Sequence, residues 1–139
     1  MKRPILILIS LGLIWVVLAP TTSISTTPDS QVEHGKYLVM HVAMCVQCHT
    51  PHTEQGELDL SRLLQGAPIP VKSPFPSQTW AFEAPKLAGL PGGWTEADLI
   101  RLLQTGKGPR DRAPRPPMPP FRLSKEDATA IAAYLKSLQ

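Results

Sequence analysis

Five consecutive residues, Cys45-Val46-Gln47-Cys48-His49, constrain this chain more than any other stretch. Two thiols three positions apart stand about one helical turn from each other, and a histidine follows at once. That is the spacing of covalent c-type haem attachment. Each thiol can add to one of two vinyl groups on neighbouring pyrrole rings, giving two thioethers. The next residue then sits beneath the porphyrin, where the imidazole of His49 reaches iron as the proximal ligand. A chain carrying such a group is expected to fold as a shell around it.

Three other chemistries could use the same residues. Cys45 and Cys48 are the only cysteines, so an oxidising compartment would allow a disulfide between them. A thioredoxin-like redox pair would need a βαβ context, which the sequence lacks. Structural zinc could take both thiols and two of His34, His41, His49 and His52. Export and a second iron ligand favour haem over these.

The chain has 139 residues, enough for one domain. Met1-Lys2-Arg3 is a basic start, and an apolar run follows from Ile5 to Ala19. Residues 1–25 therefore read as a signal peptide or an N-terminal membrane anchor, with a tether through residues 4–20 in the second case. Thr21 to Ser30 is rich in Ser, Thr and Pro and reads as a spacer. Its last part, 26–30, links to a domain over 31–139. The net charge of +3 owes much to Lys2 and Arg3; without them basic and acidic residues number twelve and eleven. Charge thus gives no case for nucleic-acid binding.

Three helices are predicted. Ser30-Gln31-Val32-Glu33 reads as a capping box opening a helix from about Gln31 to Met44, with Val32, Gly35, Leu38, Val39 and Val42 on one side. A glycine in that stripe implies a second helix passing close by. Thr95 caps a helix over about Glu96 to Gln104, with an Ala97, Ile100, Leu103 stripe and Gly106 as its stop. Trp94, just ahead, is expected to staple the helix start or lie on the haem edge. Ser124 caps the last helix, to about Leu138, with Ala128, Ile131, Leu135 and Leu138 in line and Tyr134 on the flank facing Gly35. Between the first two helices, Leu58, Leu60, Leu63 and Leu64 suggest a short turn. Pro68, Pro70, Pro74 and Pro76 then break regular structure.

The second iron ligand comes from the stretch Lys107 to Phe121. Met118 stands there inside Pro116-Pro117-Met118-Pro119-Pro120, with no helical stripe around it. Prolines on both sides fix φ and lower the entropy cost of an extended loop, which a weak thioether ligand needs. Met40 and Met44 lie too near the attachment motif to reach the opposite haem face. His41 and His52 do not stand at the attachment spacing. Arg101 to Lys125 also holds seven basic residues and one acid, Asp111. Of these, Lys107, Arg110, Arg112 and Arg115 are candidates for docking or for the haem propionates.

With these residues in place, the chain resembles the class I, single-haem cytochromes c of bacteria. The residues are Cys45, Cys48, His49, Gly35, Tyr134 with Leu135, and Met118 in its proline frame. Ala84-Pro85-Lys86-Leu87 and Trp94-Thr95-Glu96-Ala97-Asp98 are similar to the cytochrome subunits of membrane dehydrogenases and oxidases. The resemblance implies an all-α fold around one haem c, held by Cys45 and Cys48 and ligated by His49 and Met118, with long proline-rich loops. It implies an electron carrier, free or as the electron-transfer subunit of a larger oxidoreductase, rather than an enzyme. The implied partners are redox proteins such as a dehydrogenase, an oxidase or another cytochrome. The implied location is the periplasm, or the periplasmic face of the cytoplasmic membrane. A haem enzyme or gas sensor with an open distal position is the rival reading. The proline-rich stretch from Pro68 to Pro85 departs from the pattern.

Overall fold

The computed structural model describes residues 27–138. The expected signal or anchor over 1–25 lies outside the described residues. Helix α1 runs Pro28–Tyr37 and begins ahead of the expected start. Thr27 is its cap, with Oγ1 accepting from the Ser30 N–H at 3.4 Å. Pro28 occupies the first turn, where its missing N–H breaks no helical bond. Ser30 is therefore inside the helix rather than at its cap, and residues 28–30 of the expected linker form its first turn.

Leu38–Val42 continue α1 as a single π turn, in which the Ala43 N–H donates to the Leu38 carbonyl at 2.8 Å. A π turn inserts one extra residue and rotates everything beyond it. Leu38 and Val39 stay in the core, but Val42, expected on the same stripe, is 54% exposed. Met44 then takes left-handed backbone, φ 51°, and turns the chain into the short helix α2, Val46–His49.

Helix α3, Glu96–Thr105, has the expected capping box between Thr95 and Asp98 and ends at Gly106 with φ 73°. Its buried residues are Leu99, Leu102 and Leu103. The expected stripe holds only in part, because the larger leucines face the core and Ala97 faces solvent. Helix α4, Lys125–Ser137, is capped by Ser124, whose Oγ accepts from the Asp127 N–H at 3.0 Å. It packs most broadly on α1 and next on α3. Sandwiched in this way, it buries Ala128, Ala130, Ile131, Ala132, Tyr134 and Leu135, a wider face than one stripe.

Gly35 lies at the α1–α4 crossing, as its place in an apolar stripe predicts. A Cβ there would run into the Ala130 carbonyl and lie 2.9 Å from the Tyr134 Cβ.

Between α2 and α3 the chain is mostly loop, as the prolines require. A 3-10 turn, Leu60–Arg62, is capped by Asp59. Strands β1, Ala67–Pro68, and β2, Glu83–Ala84, pair antiparallel with Ala67 opposite Ala84. This two-residue pair is a small addition to a mostly helical fold. The Ile69 N–H reaches the Phe82 carbonyl at 2.9 Å and closes the base of the proline loop. Trp80 Nε1 donates to the Val71 carbonyl at 2.9 Å within it. Among the described residues, no helix is long and apolar enough to cross a membrane.

Candidate functional site

The helices leave a cleft of about 760 Å³ between α2, the 81–87 segment, α3, the 109–121 loop and α4. Leu99, Leu102, Leu103, Ile131 and Leu135 give it an apolar floor. Its volume is within the roughly 300–1,000 Å³ of cofactor clefts. Cys45, Cys48, His49 and Met118 all line it. The structure thus brings together four residues, the first and last of which lie 73 positions apart in sequence.

His49 is buried on the cleft wall, and its Nδ1 is 2.7 Å from the Pro85 carbonyl oxygen. A carbonyl only accepts, so Nδ1 carries the proton and donates. The neutral ring is then left with an unprotonated Nε2, the atom a metal can take. Burial pushes the His49 pKa down, against the opposing pull of the Pro85 carbonyl, and so favours this neutral form.

The backbone around His49 is tied to distant segments. Its carbonyl accepts from the Gly66 N–H at 2.8 Å. Thr50 is fully buried, and its Oγ1 accepts from the Leu64 N–H at 3.0 Å. The Leu64 carbonyl in turn accepts from the N–H groups of Leu87 and Ala88, at 2.9 and 3.2 Å. Residues 49–50, 64–66 and 84–88 are therefore one hydrogen-bonded unit.

Met118 is half-buried and packs against the hydrophobic core. Its N–H donates to the Arg115 carbonyl at 3.3 Å, which closes a turn. The Pro116 carbonyl accepts from the Ala81 N–H at 2.8 Å and ties this loop to the opposite wall.

The competing side chains are elsewhere or differently engaged. His34 bonds to Asp127 at 2.9 Å, and the exposed His41 lies beside Tyr37 with ring centroids 5.7 Å apart. His52 is exposed in a bridge with Leu58. Among the described residues, no three of His, Cys, Asp and Glu come together to hold a metal ion, so the zinc reading has no site here. No disulfide joins Cys45 and Cys48. Burial pushes the Cys45 thiol up to about 11. A reactive dithiol pair needs the opposite shift. Met40 packs in the core, while Met44 does line the cleft, on the same wall as the motif that follows it.

Two parts of the lining, the Pro85 carbonyl and Phe82, were not legible as a site, whereas Trp94 and the arginines were already candidates from the sequence. The Pro85 carbonyl is one: Ala84-Pro85-Lys86-Leu87 reads as extended chain, but nothing local says which side chain it meets. Trp94 lines the cleft, and its Cη2 would be 2.7 Å from a Cβ on Gly108, so its ring pins the loop after α3. Phe82, Arg110, Arg112 and Arg115 also line the cleft.

Residues 32–139 match the family model described as Cytochrome c. The chain is 31% identical over 121 residues to the fructose dehydrogenase cytochrome subunit of Gluconobacter japonicus, covering 81% of this chain and 23% of that one. It is 33% identical over 130 residues to a diheme cytochrome c-type protein of Cereibacter sphaeroides, covering 88% and 41%. It is 32% identical over 120 residues to a subunit of the nicotinate dehydrogenase of Pseudomonas putida, covering 80% and 9%. The chain thus spans less than half the length of each of these relatives.

Proposed function

The chain belongs to the cytochrome c family, and from that premise we propose that it carries one covalent haem c between His49 and Met118 and relays electrons between redox proteins outside the cytoplasmic membrane. Haem-based electron transfer is the family's chemistry, and the relatives include the cytochrome subunit of a fructose dehydrogenase. The observation that carries the finer reading is the convergence of Cys45, Cys48, His49 and Met118 on one apolar cleft.

The haem, when bound, supplies reversible one-electron uptake. The residues of the chain do the rest. Cys45 and Cys48 hold the group covalently, so it cannot dissociate between partners. His49 presents Nε2 because Pro85 holds Nδ1. Met118 offers a soft, neutral sulfur that favours the reduced ion and raises the potential relative to a second histidine. The leucines of α3 with Ile131 and Leu135 of α4 keep water from the buried face. If His49 and Met118 both ligate the iron, no position would be left for a substrate, and the chain would act as a carrier rather than an enzyme or gas sensor.

The dehydrogenase relatives support a dehydrogenase as electron donor, with an oxidase or a second cytochrome as acceptor. The basic and apolar residues at the N-terminus support export, with the domain in the periplasm or tethered to the membrane through residues 4–20. The proposal is tested on protein expressed with a haem-attachment system. Acid-acetone extraction is expected to leave the haem on the polypeptide, one per chain, and the reduced protein is expected to bind carbon monoxide slowly. Free haem in the organic phase would refute covalent attachment, and rapid carbon monoxide binding would favour an open site.

A further inference from the structure

Given the membrane tether of the proposed function, on which this rests, we infer that the proline loop over residues 70–80 is a second membrane contact, which lays Val71 and Phe75 into the lipid interface and fixes how the haem cleft faces the bilayer. Val71 is 54% exposed and Phe75 62%. Unlike Phe82, neither lines the cleft, so filling the cleft does not cover them.

The loop holds its own shape. Ile69 and Phe82 close its base, and Trp80 Nε1 donates to the Val71 carbonyl at 2.9 Å inside it. At its tip the Phe75 N–H donates to the Ser73 hydroxyl at 3.0 Å, and the Gln78 N–H donates to the Phe75 carbonyl at 3.1 Å. Pro70, Pro74 and Pro76 fix φ at three more points. Every residue from Pro74 to Thr79 is exposed. A segment already ordered loses little entropy on contact.

Its composition suits a lipid surface. Between Arg62 and Glu83 the only charged residue is Lys72, which takes part in none of the ion pairs among the described residues. An aromatic ring, an aliphatic side chain and an unopposed ammonium are what an interfacial segment offers to acyl chains and anionic headgroups. Two other exposed apolar side chains outside the cleft stand beside carboxylates instead: Leu60 follows Asp59, and Tyr37 lies one turn after Glu33 on α1.

Size decides between a lipid and a protein as the occupant. Two apolar side chains fall far short of the roughly 20–30 residues a side that a stable protein interface engages. A tethered chain needs much less, because the tether turns a weak contact into an intramolecular one. The eight residues from Pro20 to Thr27 separate the apolar run from α1 and can reach about 28 Å when extended. A domain of this length has a radius of gyration of about 13 Å, so that leash lets any face turn to the bilayer. The Ala81 N–H donates to the Pro116 carbonyl at 2.8 Å and couples the base of the proline loop to the Met118 loop. A docked loop therefore holds the haem at one tilt.

The test uses holoprotein carrying residues 1–139, reconstituted into oriented bilayers of phosphatidylethanolamine with phosphatidylglycerol, and reads haem tilt from the linear dichroism of the Soret band. Wild type is expected to be dichroic. The double variant Val71→Ser, Phe75→Ser is expected to lose the dichroism while it stays in the bilayer through its N-terminus and keeps the wild-type haem spectrum. Leu60→Ser, as exposed but outside the loop, is expected to keep the wild-type dichroism. An isotropic wild type, a double variant that stays dichroic or has an altered haem spectrum, or a Leu60→Ser variant that loses the dichroism as fully, would overturn the inference. So would dichroism that appears in native membranes and not in pure lipid, because the loop would then be meeting a protein partner. Holoprotein that leaves the bilayer for the aqueous phase would sink the tether itself, and this inference with it, while haem-based electron transfer would stand.

Discussion

The Nδ1 of His49 donates to the backbone carbonyl of Pro85 at 2.7 Å, across 36 residues of sequence. A backbone acceptor is harder to lose by substitution than a side chain, and here it lies in a segment that is itself tied to Leu64. The orientation of the imidazole therefore depends on how 64–66 and 84–88 are held together, not on α2 alone.

Gly66 is where that arrangement is tightest. It has φ 90°, and a Cβ would lie 2.9 Å from the Lys86 nitrogen and 3.0 Å from the Ala84 oxygen. Both neighbours are backbone and cannot swing aside. Gly66→Ala is expected to destabilise the protein by about 1–3 kcal/mol. Urea denaturation measures this, and an unchanged midpoint would mean the segment relaxes freely.

At the helix crossing the usual sign of a glycine substitution is expected to reverse. Gly→Ala inside a helix ordinarily stabilises by about 1 kcal/mol. At Gly35 the new methyl would meet the Ala130 carbonyl, so Gly35→Ala is expected to lower the thermal midpoint, and Gly35→Leu to cost about 1–3 kcal/mol or more. A midpoint that rises in the alanine variant would show that α1 and α4 can separate at little cost.

Met118→Ala tests the proposed ligation. Both thioethers should survive, while the near-infrared sulfur-to-iron charge-transfer band of the ferric protein disappears. The reduction potential should drop as a soft ligand is lost. Wild-type protein without that band, or a variant that retains it, would remove Met118 from the coordination sphere.

A fourth expectation concerns pH. His34 on α1 bonds to Asp127 on α4 at 2.9 Å. The hydrogen bond from His34, opposed by partial burial and assisted by Ser124, holds the Asp127 carboxyl below its ordinary range. A lowered folded-state pKa means stability that is fully present above the unfolded carboxylate pKa and is lost as pH falls through the folded value. Because the pair is solvent-screened, the contribution is about 0.5 kcal/mol. Wild type and Asp127→Asn should therefore differ most above the carboxylate range and converge at strongly acid pH. A constant offset in denaturation midpoint across that range would contradict the linkage.

What could be read from the sequence was what neighbouring residues decide among themselves. The attachment motif is five residues long. The caps at Thr95 and Ser124 and the stop at Gly106 act within one turn of their own helices. Gly35 was legible as a contact because an apolar stripe with a gap in it needs something close to fill it. Met118 stood out because prolines leave its loop few conformations. The start of α1 differs from the expected one because Thr27 and Ser30 are both good caps, and Pro28 at the first turn favours the former.

Tertiary structure alone decided the rest. The π turn at Leu38–Val42 shifts Val42 into solvent, a change of phase that periodicity cannot foresee. The acceptor for His49, the Gly66 close approach and the Ala81–Pro116 bond all join segments far apart in the chain. That Lys107 is paired while Arg110 is not depends on where Asp111 lies after the loop has folded. Local propensities act over a few residues of backbone. A hydrogen bond between distant segments forms only after packing has brought its donor and acceptor within about 3 Å, and no stretch of sequence read by itself carries that distance.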